Sequence, residues 1–112
     1  MEGTPRRTDR EEGASAGRVR IVWLRAAERN LEEQLEYIGE RNPLTANVLA
    51  DKIVAAVAGL ADHPRRSRPG RVAETRELVV PGTPFIAVYT VRADHVRIHR
   101  VLHSAQQWPP QR

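Results

Sequence analysis

The side chains best suited to acid–base or anion chemistry are concentrated near the end of the chain, in RIHRVLHSAQQWP, residues 97–109. His103 could act as a general base, because an imidazole titrates near neutral pH. Arg76 or Arg100 could then stabilise the charge that develops on a phosphorane. A histidine at the end of a strand could equally be a hydrogen-bonding cap. The sequence leaves open whether this cluster catalyses a reaction, binds a macromolecule or forms the polar edge of a sheet.

Strand geometry divides the cluster between two faces, because successive side chains of a strand point in opposite directions. Regular alternation gives one face to Arg97, His99, Val101 and His103, and the other to Val96, Ile98, Arg100 and Leu102. The second set is mostly apolar and predicts the core face. Arg100 does not fit a core, so we expect it either at the end of the sheet or beside a β-bulge.

Two neighbouring features each allow a structural and a functional interpretation. Arg76 and Glu77 are either a charged pair on an exposed face or part of a functional site. Trp108, followed by Pro109, is either a lid over a small core or, if exposed in a basic segment, an anchor for a partner.

Composition narrows the classes of function. A chain of 112 residues is long enough for one domain. It has no cysteine, and its four histidines lack metal-ligand spacing, so we expect no metal and no cofactor. A cysteine-free chain fits a reducing, cytoplasmic location. The apolar runs are short and interrupted by charge, so we expect no signal peptide and no membrane association.

The charge of the chain is unevenly distributed. Residues 19–62 carry five basic and seven acidic side chains, whereas residues 63–112 carry nine and three. Such asymmetry favours an acidic partner, either nucleic acid or an acidic protein. The alternative is that arginine only keeps a small domain soluble.

The chain divides into an extension and a domain. Residues 1–18 have almost no aliphatic side chains, so we expect a disordered extension, and a start site later than Met1 is possible. Residues 19–112 form the patterned domain. VRIVWL predicts a first strand, and NP at residues 42–43 separates two helices by capping the second. The second helix is rich in alanine and ends at His63-Pro64.

The rest of the domain is predicted to be a basic loop followed by strands. RRSRPG forms the loop, and TRELVV, FIAVYTV and VRIHRVLH are strands joined by turns. The order is β-α-α-β-β-β, which predicts an α+β fold with an antiparallel-rich sheet packed against a helical hairpin. Alanines along the helical seam leave a groove for an amphipathic partner, lined by Leu31, Leu35, Ile38, Leu49 and Ile53.

The stretch from Val19 to Pro109 resembles the ParE-like branch of the RelE/ParE toxins of bacterial type II toxin–antitoxin systems. The resemblance lies in VRIVWLRAAERNLEEQLEYI, in the NP pair before an alanine-rich helix, and in RPGRV, TRELVVPGTPFIAVYTV and RVLHSAQQWP. It implies the β-α-α-β-β-β fold, growth inhibition by the free protein, and a cognate antitoxin that forms a hetero-oligomer with it. The antitoxin is then expected to occupy the helical groove.

The resemblance also implies a target. ParE-like toxins poison DNA gyrase by binding it, without chemistry of their own. The residues expected to contact the target are Arg76, Arg97, Arg100, His103, Gln106 and Trp108. Two positions depart from the family pattern: Glu74 stands where relatives often have glycine, and His99 where they usually have an aliphatic residue.

RelE-like relatives instead cleave messenger RNA in the ribosome. When FIAVYTV is aligned on its VY pair, their catalytic lysines correspond to Glu77 and Val79, and their strand arginine to Ile86. None of these three side chains can stabilise a phosphorane. The alternative that remains is a ribosome-dependent messenger RNA endoribonuclease that uses His103 with Arg76 or Arg100.

Overall fold

The protein forms a five-stranded sheet with two helices. The computed structural model describes residues 18–110; the expected extension lies outside this range except for Arg18. The elements are β1 (Arg20–Trp23), α1 (Arg25–Arg41), α2 (Pro43–Ala58), a 3-10 turn (Gly59–Ala61), β2 (Arg68–Pro69), β3 (Arg76–Val79), β4 (Phe85–Val91) and β5 (His95–His103).

The strands are arranged in the order β1-β5-β4-β3-β2. β1 is parallel to β5, and the other three pairs are antiparallel. The predicted α+β class and order are confirmed, with one correction: the loop at residues 65–70 contains the two-residue strand β2. It was missed because it is so short and contains Pro69, a residue tolerated only where a strand is not paired on both sides.

The helical hairpin follows from the capping chemistry of Asn42 and Pro43. Asn42 Oδ1 accepts a hydrogen bond from the backbone N–H of Thr45 at 3.1 Å. Pro43 occupies the first turn of α2, where its missing N–H costs nothing. The same residue pair therefore ends α1 and starts α2, as the sequence predicts.

The core lies between the helices and one face of the sheet, which we call the inner face. The helical layer contributes Ala27, Ile53, Val57 and Leu60, all at most 1% exposed. The inner face contributes Leu78, Phe85, Ala87, Tyr89, Val96, Ile98 and Val101. Each large aliphatic side chain buried in this way contributes about 1.5–3 kcal/mol.

The opposite, outer face of the sheet carries a second, smaller apolar cluster. Ile86, Val88 and Leu102 are buried there, and Trp108 packs against them from the segment after β5. Trp108 therefore acts as a lid over this cluster, which is the structural interpretation of the two stated above. No helix residue within residues 18–110 belongs to the cluster.

A β-bulge in β5 corrects the predicted alternation of side chains. Tyr89 pairs with Ile98 and Val88 with Arg100, so His99 is an extra residue without a partner. The alternation is right up to Ile98 and wrong beyond it. Because the bulge shifts the phase by one residue, Val101 joins the inner core and Leu102 lies on the outer face. Arg100 avoids the core for the same reason.

Two backbone positions have a left-handed conformation. Gly82 (φ 75°) follows Pro81 in the turn between β3 and β4, where Thr83 N donates to Val80 O. Proline then glycine is the sequence that a type II turn requires. Glu74 has φ 69°, a conformation that costs a non-glycine residue about 1–2 kcal/mol. The glycine that the resemblance implies at this position therefore has a conformational reason.

Within residues 18–110, the helical segment Pro43–Ala61 is long and apolar enough to cross a membrane by length and composition. Asp51 and Lys52 interrupt this segment, and the expectation of no membrane association stays a prediction. Helices in the cores of water-soluble proteins meet the same criterion. Here Ile53, Val57 and Leu60 of the segment pack in the core.

Candidate functional site

Four cationic or titratable side chains surround the β-bulge. We call Arg92, Arg97, His99 and Arg100 the bulge cluster. His99 and Arg100 follow one another at the bulge, so both project from the outer face on which Arg97 also lies. Among residues 18–110, no carboxylate lies within 4.0 Å of the three guanidinium groups. The bulge thus concentrates positive charge that regular alternation would have divided between two faces.

His99 lies at the centre of the bulge cluster. Its Nε2 forms a hydrogen bond of 2.9 Å with Oγ1 of Thr90, which is 6% exposed. Burial lowers the pKa of His99 below its usual range, and the charges of Arg92, Arg97 and Arg100 lower it further. The imidazole is therefore held neutral at physiological pH, and a bound anion would favour its protonated form.

Arg97 is oriented by its neighbours in β5. Asp94 Oδ1 lies 2.7 Å from His95 Nδ1, and Arg97 Nε donates to His95 Nε2 at 3.1 Å. The hydrogen bond from His95 lowers the pKa of Asp94. With Asp94 as acceptor, the proton of His95 is on Nδ1 and Nε2 is left to accept from Arg97. The two terminal nitrogens of Arg97 can then face a ligand.

Glu77 is a buried carboxylate held by two arginines. Its side chain is 1% exposed, and it accepts hydrogen bonds from Arg71 Nε (3.0 Å), Arg71 N (2.9 Å) and Arg68 Nη2 (3.1 Å). Burial raises the pKa of Glu77, but these donors outweigh it and the pKa lies below its usual range. The structure excludes the alternative of an exposed Arg76–Glu77 pair, because Glu77 is buried and adjacent strand residues point to opposite faces.

A groove of about 300 Å³ lies on the outer face beside this ion pair. Its lining includes Val79 and Ile86 together with Arg68, Arg71 and Ser104. Val79 and Ile86 are two of the positions that the resemblance implies for the catalytic residues of RelE-like toxins, and Glu77 is the third. Both arginines at the groove already bind Glu77.

The structure does not bring together the residues expected for a ribonuclease. His103 pairs with Phe85 across the sheet, and Arg76 pairs with Tyr89. Phe85 and Tyr89 are four positions apart along β4, which corresponds to roughly 13 Å. Arg100 lies on the outer face, whereas the His103 ring packs edge-to-face on inner-face Phe85 at 5.8 Å between centroids.

His103, the candidate general base, and Arg76, a candidate for stabilising a phosphorane, both form hydrogen bonds with the protein itself. His103 Nδ1 accepts from Ala105 N at 3.1 Å, as expected of a cap at a strand end. Arg76 Nη1 donates to the carbonyls of Arg65 (3.0 Å) and Ser67 (2.7 Å). Tyr89 OH donates to the nearby Pro64 carbonyl at 2.8 Å. Arg76 and Tyr89 thus hold the loop before β2.

The remaining expected target contacts lie in the segment after β5. Gln106 is exposed, and its Oε1 lies 3.4 Å from His103 N. Trp108 is half-buried over the outer apolar cluster. Their predicted contact with a target stays a prediction.

The helical layer places only part of the expected antitoxin groove at the surface. Leu31, Leu35, Ile38 and Leu49 are half-buried, but Ile53 is 0% exposed and belongs to the core, which corrects its expected role. Several large apolar residues of the helical hairpin are exposed, which the sequence did not lead us to expect. We call three of them, Tyr37, Leu44 and Val48, the hairpin patch. Leu44 is 77% exposed. The signal was present, because α2 is apolar on more than one side.

Residues 18–110 contain no group of three His, Cys, Asp or Glu side chains placed to hold a metal ion.

Comparison with known proteins gives consistent matches over this domain. A family model described as ParE toxin of type II toxin-antitoxin system, parDE, matches residues 21–108. The protein Y4kP of Sinorhizobium fredii is 42% identical over 92 residues, which are 82% of this chain and 95% of Y4kP. Toxin RelE2 of Caulobacter vibrioides is 36% identical over 88 residues, covering 79% and 98% of the two chains.

Solved structures share the fold. A chain of the chromosomal ParDE system from P. aeruginosa superposes with a TM-score of 0.72 at 23% identity, covering 79% of this chain and 98% of that one. A chain of the RelBE2 toxin–antitoxin complex from Mycobacterium tuberculosis gives 0.55 at 21% identity, with coverages of 82% and 98%. At these identities the likeness concerns the fold alone.

Proposed function

The chain belongs to the family of ParE toxins of type II toxin–antitoxin systems, and on that premise we propose that it inhibits DNA gyrase by binding it. The family match and its toxin relatives make it the toxin of such a pair, with an antitoxin as partner. Gyrase as target, a non-catalytic mechanism and a cytoplasmic location are our proposals.

The observation that carries the proposal is the chemistry of the outer groove. A ribonuclease of the RelE type needs cations where the phosphorane forms. At the corresponding positions this chain has a buried carboxylate, Glu77, and two aliphatic side chains, Val79 and Ile86. Arg68 and Arg71 supply positive charge there, but Glu77 offsets part of it and accepts hydrogen bonds from both guanidinium groups. The groove is therefore poorly suited to phosphodiester cleavage.

The bulge cluster supports binding rather than cleavage. It presents three arginines without a nearby carboxylate in the described residues, on a face that no helix covers. Its one imidazole, His99, is already hydrogen-bonded to Thr90. Such a surface attracts an acidic partner and increases the rate of association.

The helical side supports a separate site for the antitoxin. The hairpin patch exposes apolar area next to the acidic outer side of α1, and Arg41 lies 4.2 Å above the ring of Tyr37. An amphipathic segment of the antitoxin could bury this patch. Target and antitoxin would then contact opposite layers of a hetero-oligomeric complex.

The test is gyrase supercoiling of relaxed plasmid with the purified chain. We expect the wild type to inhibit, and the double variant Arg97→Glu/Arg100→Glu to require an about tenfold or higher concentration because the bulge cluster is reversed in charge. The double variant Arg25→Glu/Arg29→Glu, at two exposed arginines of α1, is the charge-matched control and should inhibit normally. Normal supercoiling in the presence of wild-type protein would contradict the proposal.

A parallel assay decides the ribonuclease alternative. Ribosomes translating a defined message are incubated with wild type and His103→Ala, and the message is examined for cuts. We expect no cleavage by either protein. Cleavage by the wild type that His103→Ala abolishes would establish the alternative instead.

A further inference from the structure

We propose that the bulge cluster binds the phosphate backbone of duplex DNA, with Arg97 and Arg100 as the principal contacts. The inference deepens the proposed function and rests on it, because a gyrase complex brings DNA to the toxin. Binding of duplex DNA to the bulge cluster can be measured with the purified chain alone, without gyrase.

The charge of the surface calls for a polyanion. Arg92, Arg97 and Arg100 lie close enough to His99 for each to lower its pKa, and residues 18–110 place no carboxylate within 4.0 Å of them. A single carboxylate would neutralise only one of the three. A DNA duplex presents one negative charge per about 1.7 Å of its axis. Guanidinium groups match phosphate oxygens with two parallel hydrogen bonds.

The polar floor of the cluster argues against a protein as occupant. Protein–protein interfaces usually have an apolar centre, whereas protein–DNA interfaces are polar and positively charged. The centre here is the hydrogen-bonded Thr90–His99 pair. The neighbouring apolar side chains Ile86, Val88 and Leu102 are buried, with Trp108 packed against them.

The lack of stacking surfaces argues for a duplex rather than single-stranded RNA. Proteins that bind single strands on a sheet stack bases on exposed aromatic rings. In this sheet Phe85 and Tyr89 face the inner core and are at most 1% exposed. On the outer face, within the described residues, the half-buried Trp108 is the one aromatic side chain near the cluster other than histidine.

The strand geometry fits a backbone running along β5. The bulge sets the spacing of the two arginines, because Arg97 pairs with Thr90 and Arg100 with Val88, two positions apart on β4 and roughly 7 Å along the strand. Phosphates of one DNA strand follow one another at about 3.4 Å along the helix axis. Asp94 and His95 hold Nε of Arg97, so its orientation is set before DNA binds. These two residues are positioning residues for the contact.

The test is fluorescence anisotropy of a labelled random-sequence DNA duplex titrated with the full chain at several salt concentrations. Each phosphate contact contributes about 0.9 to the slope of log affinity against log salt. We expect Arg97→Gln and Arg100→Gln each to reduce the slope by about that amount and to weaken binding about tenfold at low salt. Arg29→Gln, on the helical layer, is the matched control and should bind like the wild type.

Each other outcome would overturn the inference. Unchanged binding by both sheet variants would exclude the bulge cluster, and an equal loss in Arg29→Gln would indicate unspecific attraction to total charge. Tighter binding of single-stranded RNA, or equally tight binding of polyglutamate, measured by competition with the labelled duplex, would assign the surface to another ligand. Circular dichroism of every variant excludes unfolding as the cause.

Failure of this inference differs from failure of the proposed function. If the chain inhibits gyrase but its duplex binding is absent or insensitive to Arg97 and Arg100, the DNA contact is wrong and the gyrase proposal stands. If the chain binds duplex through these arginines but leaves supercoiling unaffected, the DNA contact stands and gyrase is not the target.

Discussion

Glu77 and Glu74 are two acidic residues of one short segment with opposite effects on stability. Glu77 is buried, and three donor nitrogens of Arg71 and one of Arg68 satisfy its carboxylate. Glu74 has a left-handed backbone conformation, in which the Cβ of a non-glycine residue lowers the stability of the folded state. The sequence alone predicts neither the burial of Glu77 nor the backbone conformation of Glu74. Each depends on how the loop before β3 folds against that strand.

Glu77 makes the stability of the fold depend on pH. Its pKa is lower in the folded state than its ordinary value of 4.5. The stabilisation is therefore complete above the ordinary value and is lost as the pH falls through the folded pKa. Urea unfolding followed by circular dichroism should show this decline, and Glu77→Gln should flatten it and cost about 1–3 kcal/mol at neutral pH. Glu36→Gln, exposed in the middle of α1, should leave both unchanged. A Glu77→Gln profile parallel to the wild type would contradict the assignment.

Replacing Glu74 by glycine should stabilise the protein. Glycine adopts φ 69° without the penalty that Glu74 pays. Part of the gain is offset by the greater freedom of glycine in the unfolded chain, so we expect about 0.5–1 kcal/mol in urea unfolding. Glu74→Ala keeps a Cβ and should give no such gain. Equal stabilities of the glycine and alanine variants would show that φ is not the cause.

The helices and turns were predictable from local sequence, whereas two features of the sheet were not. The Asn42-Pro43 cap and the Pro81-Gly82 turn depend on residues that are adjacent in the chain. β2 and the bulge at His99 depend on pairing with strands that are distant in sequence. Arg100 was the one signal of the bulge, since an arginine interrupts an apolar face there. The sequence therefore predicted Arg97 and Arg100 for a binding surface, but neither the face that they share nor Arg92 and His99 beside them, and their contact with a target stays a prediction.

Deleting His99 should preserve the fold. His99 is the unpaired residue of the bulge, so its removal restores regular pairing and leaves Ile98 and Val101 on the inner face. We expect a loss of about 1 kcal/mol, mainly from the hydrogen bond to Thr90. An alanine inserted after Arg100 is the control, because it should turn Val101 outward and unfold the sheet. Thermal unfolding by circular dichroism distinguishes the two, and a deletion variant as unstable as the insertion would contradict the bulge.

At the scale of the whole molecule, the two layers present different surfaces. The sheet carries arginine around the bulge, and the helices carry acidic residues and the hairpin patch. The charge asymmetry in the sequence anticipated this division, because the last three strands come from the basic half of the chain and both helices come from the acidic part. The sequence did not predict that Leu44 and Val48 are exposed, because their exposure depends on how α2 packs against the sheet.

Neutralisation and toxicity should therefore be separable by substitution. Leu44→Asp places a charge in the hairpin patch and should weaken antitoxin binding about tenfold or more, with gyrase inhibition unchanged. Asn47→Asp, exposed on the same helix, controls for the added charge and should bind normally. Calorimetry with the cognate antitoxin and a supercoiling assay provide the two measurements. Loss of both activities in Leu44→Asp, with its fold intact, would contradict two separate surfaces.

The parallel pairing of β1 with β5 has a consequence for how the protein is made. β5 lies between β1 and β4 and is the one strand with which β1 pairs, so that Arg20, for example, pairs with His95. β1 therefore has no neighbour in the sheet until β5 has been synthesised. Contacts so distant in sequence form late and slowly. A nascent chain that stops before β5 lacks Val96, Ile98 and Val101 of the core as well as Arg97 and Arg100. The surface that we propose for the target is therefore complete only after the last strand has been synthesised, and chains that end before β5 lack it.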